Sequence, residues 1–215
     1  MGFLAKFSDR LVNVMSGQGT TVDRRSAAAY VFNAVTPEQS EAAYRTSWIV
    51  RKLVDIPAKD MVRNWRDWQA KGDVIEKLEN EERRLRVKAK AREALIASRI
   101  YGGAVIYMGT GEPDPMQPLD AERVKQGGLR FLRVLTPNQI TPGSERLDPE
   151  DDFCGEPDYF EMRGNGGARV RIHPSRILPF ISQRVPGGSY HHHALGWYWG
   201  DPVLQSIRDA VVNAD

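Results

Sequence analysis

The pattern in this chain that comes closest to catalytic machinery is His173-Pro174-Ser175, a histidine and a hydroxyl residue two positions apart. In phosphoester hydrolysis of the two-histidine type, two such units face one pocket, so that one histidine acts as base and the other as acid. No second unit of this form stands in the sequence. A turn closing the preceding strand is therefore the favoured interpretation, and a nucleotide phosphoesterase of the two-histidine type is kept as an alternative function.

Two further clusters contain groups that bind metals, but neither has a metal-ligand spacing. The adjacent residues His191-His192-His193 point in different directions, and usable spacings are wider. The acidic cluster Asp148, Glu150, Asp151 and Asp152 matches no calcium loop. Both are interpreted as surface loops. We predict no catalytic residue, no metal and no cofactor, and hence no enzyme.

Tryptophan and arginine alternate with helical spacing between Tyr44 and Trp68. Aromatic rings with arginines could form a nucleic-acid-binding module, which is a second alternative. The same residue types also anchor protein–protein contacts. Neighbouring aspartates and a net charge of only +2 favour packing over DNA affinity. We therefore predict packing or interface anchors at six positions, with the arginines paired to carboxylates of this or a neighbouring subunit: Trp48, Trp65, Trp68, Arg51, Arg63 and Arg66.

The elements that must position these residues are helices in the first half of the chain. Thr36, Pro37 and Gln39 form a helix-start signature, which predicts a helix to about Asp55. Pro57 is expected to end or kink it, with a second segment from Pro57 to Trp65. Asp73 is expected to cap one long charged helix from Val74 to Ile100, which ends at Gly102-Gly103.

After Gly103 the spacing of apolar residues changes from helical to alternating. Strands are predicted at 104–108, 129–135 and 176–181, and a hairpin at 159–163 and 169–172. A new amphipathic helix begins after Asp201-Pro202. The sequence therefore predicts an α+β fold: N-terminal helices, one of them long and charged, a small mostly antiparallel sheet, and the start of a further helix.

The composition is that of an ordinary folded protein and defines three predicted regions. Of 215 residues, 41% are hydrophobic and 27% charged, with a single cysteine, Cys154, as in chains made in a reducing cytosol. No apolar run is long enough to span a bilayer, so no membrane partner is predicted. The regions are an N-terminal arm with a short amphipathic helix (1–40), an α+β domain (41–200) and the start of a last helix (201–215).

Four motifs in fixed order resemble the portal proteins of tailed bacteriophages, in particular the group with Acb1-like N-terminal domains. They are Ile49–Trp65, Ala97–Tyr107, Ile172–Leu178 and Trp199–Gln205, and with the sequence between them they cover the chain from about Ser40 to its end. The resemblance implies the wing region of a subunit that forms a ring, typically a dodecamer, at one vertex of the phage head.

Several properties of the whole protein follow from this resemblance as expectations. DNA would be packaged and ejected through the ring, and partners would be other copies of the chain, terminase, head–tail adaptor proteins, capsid or scaffold proteins, and double-stranded DNA. The protein would be made in the bacterial cytoplasm and reside in the virion. Because portal subunits are longer than this chain, the resemblance also implies that it is the N-terminal part of one, whose last helix leads towards the stem.

Overall fold

The computed structural model describes residues 34–125, 127–151, 153–164, 167–184 and 197–212. In these ranges the chain has the predicted α+β fold. The helices are α1 (Pro37–Thr46), α2 (Trp48–Met61), α3 (Gly72–Leu85), α4 (Val87–Tyr101) and α5 (Val203–Val212), and a short 3-10 helix spans Pro174–Arg176. The strands are β1 (Gly103–Gly109), β2 (Phe131–Leu135), β3 (Ile140–Pro142), β4 (Phe160–Arg163), β5 (Arg169–Ile172) and β6 (Ile177–Ile181).

The first helix begins as predicted, but the break that follows lies elsewhere. The Thr36 side chain accepts from the Gln39 backbone N–H, and the Gln39 side chain accepts from Thr36 N–H, so the capping box is confirmed. The predicted end of a helix at Pro57 is wrong, and a kink there stays a prediction. The chain breaks at Ser47, whose backbone is extended and whose hydroxyl caps α2, and α2 continues through Pro57 to Met61. The predicted segment Pro57–Trp65 therefore ends at Met61.

The prediction of one long charged helix is also wrong. It is divided at Arg86, which has left-handed backbone angles (φ 53°, ψ 41°), and α3 is preceded by Lys71 at the N-cap position, not by Asp73. No residue of α3 is buried, whereas α4 buries Ala94, Ser98 and Ile100. Burial thus holds α4 in place, and nothing in the core requires α3 to continue along its axis. The predicted end at Gly102 is confirmed.

The strands form two three-stranded antiparallel sheets where one was expected. The first has the order β2-β1-β6 and the second β3-β4-β5. In the first, Val105 lies opposite Leu135 and Pro179. In the second, Phe160 lies opposite Ile172, so the predicted pairing of 159–163 with 169–172 is confirmed. Strand β3 was not predicted, because three residues ending in proline show no alternation and depend on pairing with β4.

Among the described residues, three apolar clusters form the core that connects these layers. One is formed mainly by residues of the two sheets, and Tyr198 and Trp199 belong to it. A second joins α2, α4 and α5 through Val50, Val54, Ile100 and Leu204. The third packs Ala94 of α4 against Ala104 and Ile106 of β1. Both α4 and α5 are thereby fixed by burial, and α4 leads directly into the central strand β1.

Some predictions concern residues outside the described ranges. These are the amphipathic helix with most of the N-terminal arm, Asp152 of the acidic cluster, and His191-His192-His193. Among the described helices, none has the length and apolar character needed to cross a bilayer.

Candidate functional site

The second and fourth motifs meet at a backbone joint around Gly102. The Gly102 carbonyl accepts hydrogen bonds from the Ser182 and Gly200 backbone N–H groups, each at 3.1 Å. Gly102 has φ +82°, a left-handed angle that favours glycine. The end of α4, the end of β6 and the residues before α5 are thus bound to one carbonyl group.

The joint is too close for side chains. A Cβ on Gly102 would lie 2.0 Å from the Gly200 carbonyl oxygen, and one on Gly200 would lie 2.1 Å from the Ser182 carbonyl oxygen. A Cβ on Gly103 would meet the Trp199 ring at 2.2 Å. These glycines therefore set the position from which α5 starts.

The first and second motifs meet where Arg99 of α4 compensates for the proline in α2. Pro57 has no N–H, so the carbonyl of Leu53, one turn earlier, loses its helical donor. The Arg99 guanidinium donates to that carbonyl at 2.7 Å. Burial lowers the pKa of Arg99 from its ordinary value. This contact explains why α2 continues through Pro57.

The third motif, which contains His173-Pro174-Ser175, fastens the long connection between β1 and β2. The Ser175 hydroxyl accepts from Leu119 N–H at 2.8 Å, and His173 N–H donates to the Pro115 carbonyl at 3.0 Å. His173 Nδ1 lies 2.8 Å from Ser175 Oγ and accepts from Ser175 N–H at 3.2 Å. Both side chains thus serve as caps and ties of the backbone.

Arg176, the next residue of this motif, is a buried cation that the sequence did not single out. It is 1% exposed and donates to the Gln117 carbonyl at 2.7 Å and to the Thr110 hydroxyl at 2.8 Å. It also pairs with Glu112, and hydrogen bonds from Arg176 and Thr110 hold the pKa of that carboxyl below its ordinary value. We call this set the Arg176 clamp. Its only sequence signal is an arginine beside a strand of apolar residues.

The imidazole of His173 lines a cleft of about 520 Å³ with Phe153, Phe160, Pro179 and Tyr198. Burial, and then the charges of Arg146 and Arg176, lower the pKa of His173, so its neutral form is favoured. Burial raises the pKa of the Tyr198 hydroxyl. The cleft is mostly apolar. The other three histidines, His191-His192-His193, lie outside the described ranges.

The described carboxylates and histidine do not gather into a metal site. Within the described part of the chain, no three His, Cys, Asp or Glu side chains lie close enough to hold an ion. In the acidic cluster, Asp151 pairs with Arg146 at 3.3 Å, while Asp148 accepts from Glu150 N–H at 3.0 Å. Cys154 is a free, exposed thiol.

Helix α2 has apolar residues on two opposite sides. Val50, Val54 and Ala58 are buried. On the other side lies the α2 outer face, defined by Trp48, Leu53 and Ile56, all of which are exposed. Trp48 is 63% exposed, and the Lys52 ammonium lies 4.8 Å from its ring centroid. Within the described fold, this face presents large apolar side chains to the surface.

The other two predicted tryptophans lie in the stretch between α2 and α3. Trp65 Nε1 donates to Glu82 Oε2 at 3.3 Å. The Arg66 guanidinium lies 5.2 Å from the Trp65 ring centroid and 4.5 Å from that of Trp68, and it pairs with Glu82. The structure thus brings Trp65, Arg66 and Trp68 together, and both Trp65 and Arg66 contact Glu82 of α3.

The remaining predicted arginines lie on or beside α2. Arg63 pairs with Asp60 one helical turn away. Arg51 donates to the Arg45 carbonyl at 3.3 Å and lies 5.6 Å from the Tyr44 ring centroid. The structure does not bring these two arginines to the group formed by Trp65, Arg66 and Trp68. Pairing of Arg51 with a carboxylate of a neighbouring subunit stays a prediction.

A comparison with protein families matches residues 38–215 to a family described as phage portal protein. Two curated relatives are called anti-CBASS protein Acb1. The one from Sphingomonas paeninsulae is 45% identical over 218 residues, which cover 100% of this chain and 34% of that protein. The one from Caulobacter sp. (strain RHG1) is 39% identical over 210 residues, which cover 96% and 33%. The chain thus spans about a third of the length of these relatives.

Among solved structures, the neck of a native GTA particle computed with C12 symmetry contains a similar chain. The similarity has a TM-score of 0.44 and 14% identity, and covers 87% of this chain and 45% of that one.

Proposed function

This chain belongs to the phage portal protein family, and from that premise we propose that it is a structural, ring-forming part of the portal at the head vertex. In this proposal it forms the wing region of a subunit, and the glycine joint at Gly102 sets the direction in which α5 leaves towards the stem. Packaging and ejection of DNA, a dodecameric ring, docking of terminase and adaptor proteins, and residence in the virion belong to the same proposal.

The observation that carries the proposal is the α2 outer face. An isolated folded domain gains nothing from exposing Trp48, Leu53 and Ile56 together, because contiguous exposed apolar surface marks contacts with other proteins. Tryptophan and arginine are enriched among the residues that anchor protein–protein interfaces, and Trp48 has cationic neighbours on α2. We assign this face to contact with a second copy of the chain, since a ring needs a contact between different surfaces of identical subunits.

The test is the oligomeric state of the complete gene product, compared between wild type and Trp48→Ala. Truncating a central tryptophan anchor costs about 2–4 kcal/mol of association, roughly 30-fold or more in affinity. We expect assemblies for the wild type and their loss for the variant, measured by mass photometry across protein concentration. The control is Leu178→Ser, because Leu178 is also a large exposed apolar residue but lies on β6, away from α2 in the chain. Equal loss in both variants would contradict the role of α2.

The geometry gives less support to the phosphoesterase alternative. His173 and Ser175 are engaged in backbone ties, although the imidazole still lines a cleft. Because the relatives are named anti-CBASS proteins, hydrolysis of nucleotides is still worth a direct assay with the complete gene product. Cleavage that is lost in His173→Ala but retained in Ser175→Ala would support the alternative. The structural proposal predicts no cleavage that depends on His173.

For the nucleic-acid alternative, the pairing of Arg63 with Asp60 and of Arg66 with Glu82 reduces the positive charge available to phosphates. Affinity for DNA with a steep salt dependence in this chain would favour that alternative.

A further inference from the structure

A basic cleft of about 600 Å³ lies between the stretch that follows α2 and helices α3 and α4. Its apolar lining comes from Val62, Trp65, Trp68 and Ala89. Five of its lining residues are basic and two are acidic. The basic ones are Arg66, Arg83, Arg86, Lys88 and Arg92, and the acidic ones are Glu79 and Glu82. We call it the α3–α4 cleft.

Several donors in the α3–α4 cleft have no acceptor within the described residues. The Trp68 indole N–H is buried and unpaired. Arg86 and Arg92 have no carboxylate partner there, whereas Arg66 is neutralised by Glu82. A buried donor without an acceptor is unfavourable, and cations without partners attract anions. The cleft is therefore suited to a segment that combines carboxylates with an apolar side chain.

The backbone at the floor of the cleft is strained. Arg86 is the only described non-glycine residue with positive φ, at 53°. Backbone strain of this kind persists where the surrounding structure imposes it, and it is concentrated at functional positions. Here the left-handed residue divides α3 from α4, and residues of both helices line the cleft.

The same chain presents a segment with the complementary chemistry. The acidic loop, residues 147–151, leads away from β3. Leu147 is 77% exposed, and Asp148 and Glu150 are exposed with no cationic partner among the described residues, while Asp151 is already paired with Arg146. The loop thus offers one apolar side chain and two carboxylates that have no cationic partner among the described residues.

We propose that the acidic loop of one copy of this chain docks in the α3–α4 cleft of the next. Leu147 contacts the tryptophan-lined wall, and Asp148 and Glu150 face Arg86 and Arg92. The proposal rests on the proposed ring, which requires two different, complementary surfaces on one subunit. The cleft begins at the end of α2, since Val62, which lines it, follows the last residue of that helix.

Charge reversal in the complete gene product tests the contact. Arg92→Glu and Glu150→Arg should each raise the concentration needed for half-assembly about 10-fold or more, because like charges then oppose each other. The combination should return to within about 3-fold of wild type, as expected for interacting sites. Lys77→Glu, an exposed reversal on α3 outside the cleft, is the control and should have no effect.

A disulfide cross-link provides an independent measurement. In a Cys154→Ser background, Leu147→Cys and Ala89→Cys together should give a ladder of covalently linked subunits on oxidation, and neither substitution alone should do so. One outcome would overturn this contact and leave the proposed function intact. In that outcome rings form, oxidation gives no covalently linked subunits, and Arg92→Glu does not change the concentration needed for half-assembly. A second outcome would show that the acidic loop does not occupy the cleft. In that outcome Arg92→Glu abolishes assembly, Glu150→Arg does not restore it, and oxidation gives no covalently linked subunits. Absence of any wild-type ring would instead overturn the proposed function.

Discussion

Replacing Arg99 should destabilise the fold only as long as Pro57 is present. Arg99 supplies the donor that Pro57 removes from the Leu53 carbonyl. Arg99→Met keeps the aliphatic length of the side chain and deletes the guanidinium. Hydrogen bonds that involve a charged group contribute about 1.5–3 kcal/mol. The lower end of this range applies for two reasons. The bond is exposed to solvent, and the substitution also removes Arg99 Nε, which is buried without an acceptor in the described ranges and is therefore unfavourable. We therefore expect a loss of about 1.5 kcal/mol, at that lower end.

In a Pro57→Ala background the same substitution should cost much less. An alanine at this position restores the N–H that reaches the Leu53 carbonyl, so the role of Arg99 becomes redundant. We expect a cost of about 0.5 kcal/mol there, and hence a coupling of about 1 kcal/mol between the two positions. Urea unfolding of the four proteins measures it. Lys77→Met, at an exposed position of α3 outside the cleft, is the control and should change stability by less than about 0.5 kcal/mol. An equal cost of Arg99→Met in both backgrounds would refute the argument.

Three further predictions concern the joint, the clamp and the histidine. Gly102→Ala should lower the free energy of unfolding by about 3 kcal/mol or more, since it combines a left-handed backbone with a Cβ 2.0 Å from the Gly200 carbonyl; a Gly102→Ala variant that matches wild type in thermal unfolding would contradict the joint. Glu112→Gln should lower the melting temperature above pH 4.5, the ordinary pKa of the group, and the difference from wild type should shrink as the pH falls below that value. The pKa of Glu112 is lowered in the folded state because its ionised carboxylate is bound by Arg176 and Thr110, and this binding stabilises the fold only while the carboxyl is ionised. A difference in melting temperature that grows towards acid pH would contradict this role. His173→Ala removes the Nδ1 that holds the Ser175 hydroxyl, so the Leu119 N–H, which donates to that hydroxyl, should exchange faster; unchanged protection of Leu119 would mean that the imidazole does not help to fasten the connection.

The sequence predicted well those elements whose signals are local. The capping box at Thr36, the glycine end of α4 and the hairpin strands each depend on residues close together in the chain, and the structure confirms them. The family resemblance is confirmed as well, because it rests on the order of four motifs and needs no side-chain geometry.

The errors arose where a distant partner decides the outcome. Pro57 normally ends a helix, but Arg99, 42 positions later, supplies the missing donor. Nothing in the charged stretch after Val74 marks Arg86 as left-handed, because the bend reflects burial of α4 and not of α3. The role of Arg176 depends on residues 59 to 66 positions away, which no local pattern connects.

The candidate site was foreseen only as a list of residue types. Trp48, Trp65 and Trp68 were expected to act together, yet Trp48 lies on the exposed face of α2, while the other two enclose Arg66, which pairs with Glu82 of α3. Helical spacing could not separate them, since the helix ends at Met61 and the next ten residues follow an irregular path. Their role as anchors is still a prediction for the assembled protein.

The measurement that tests the central proposal most directly is electron cryomicroscopy of the complete gene product. We predict closed rings in which Trp48 and Ile56 of each subunit are buried against the next. Particles that remain single subunits, or rings in which the α2 outer face is open to solvent, would contradict it.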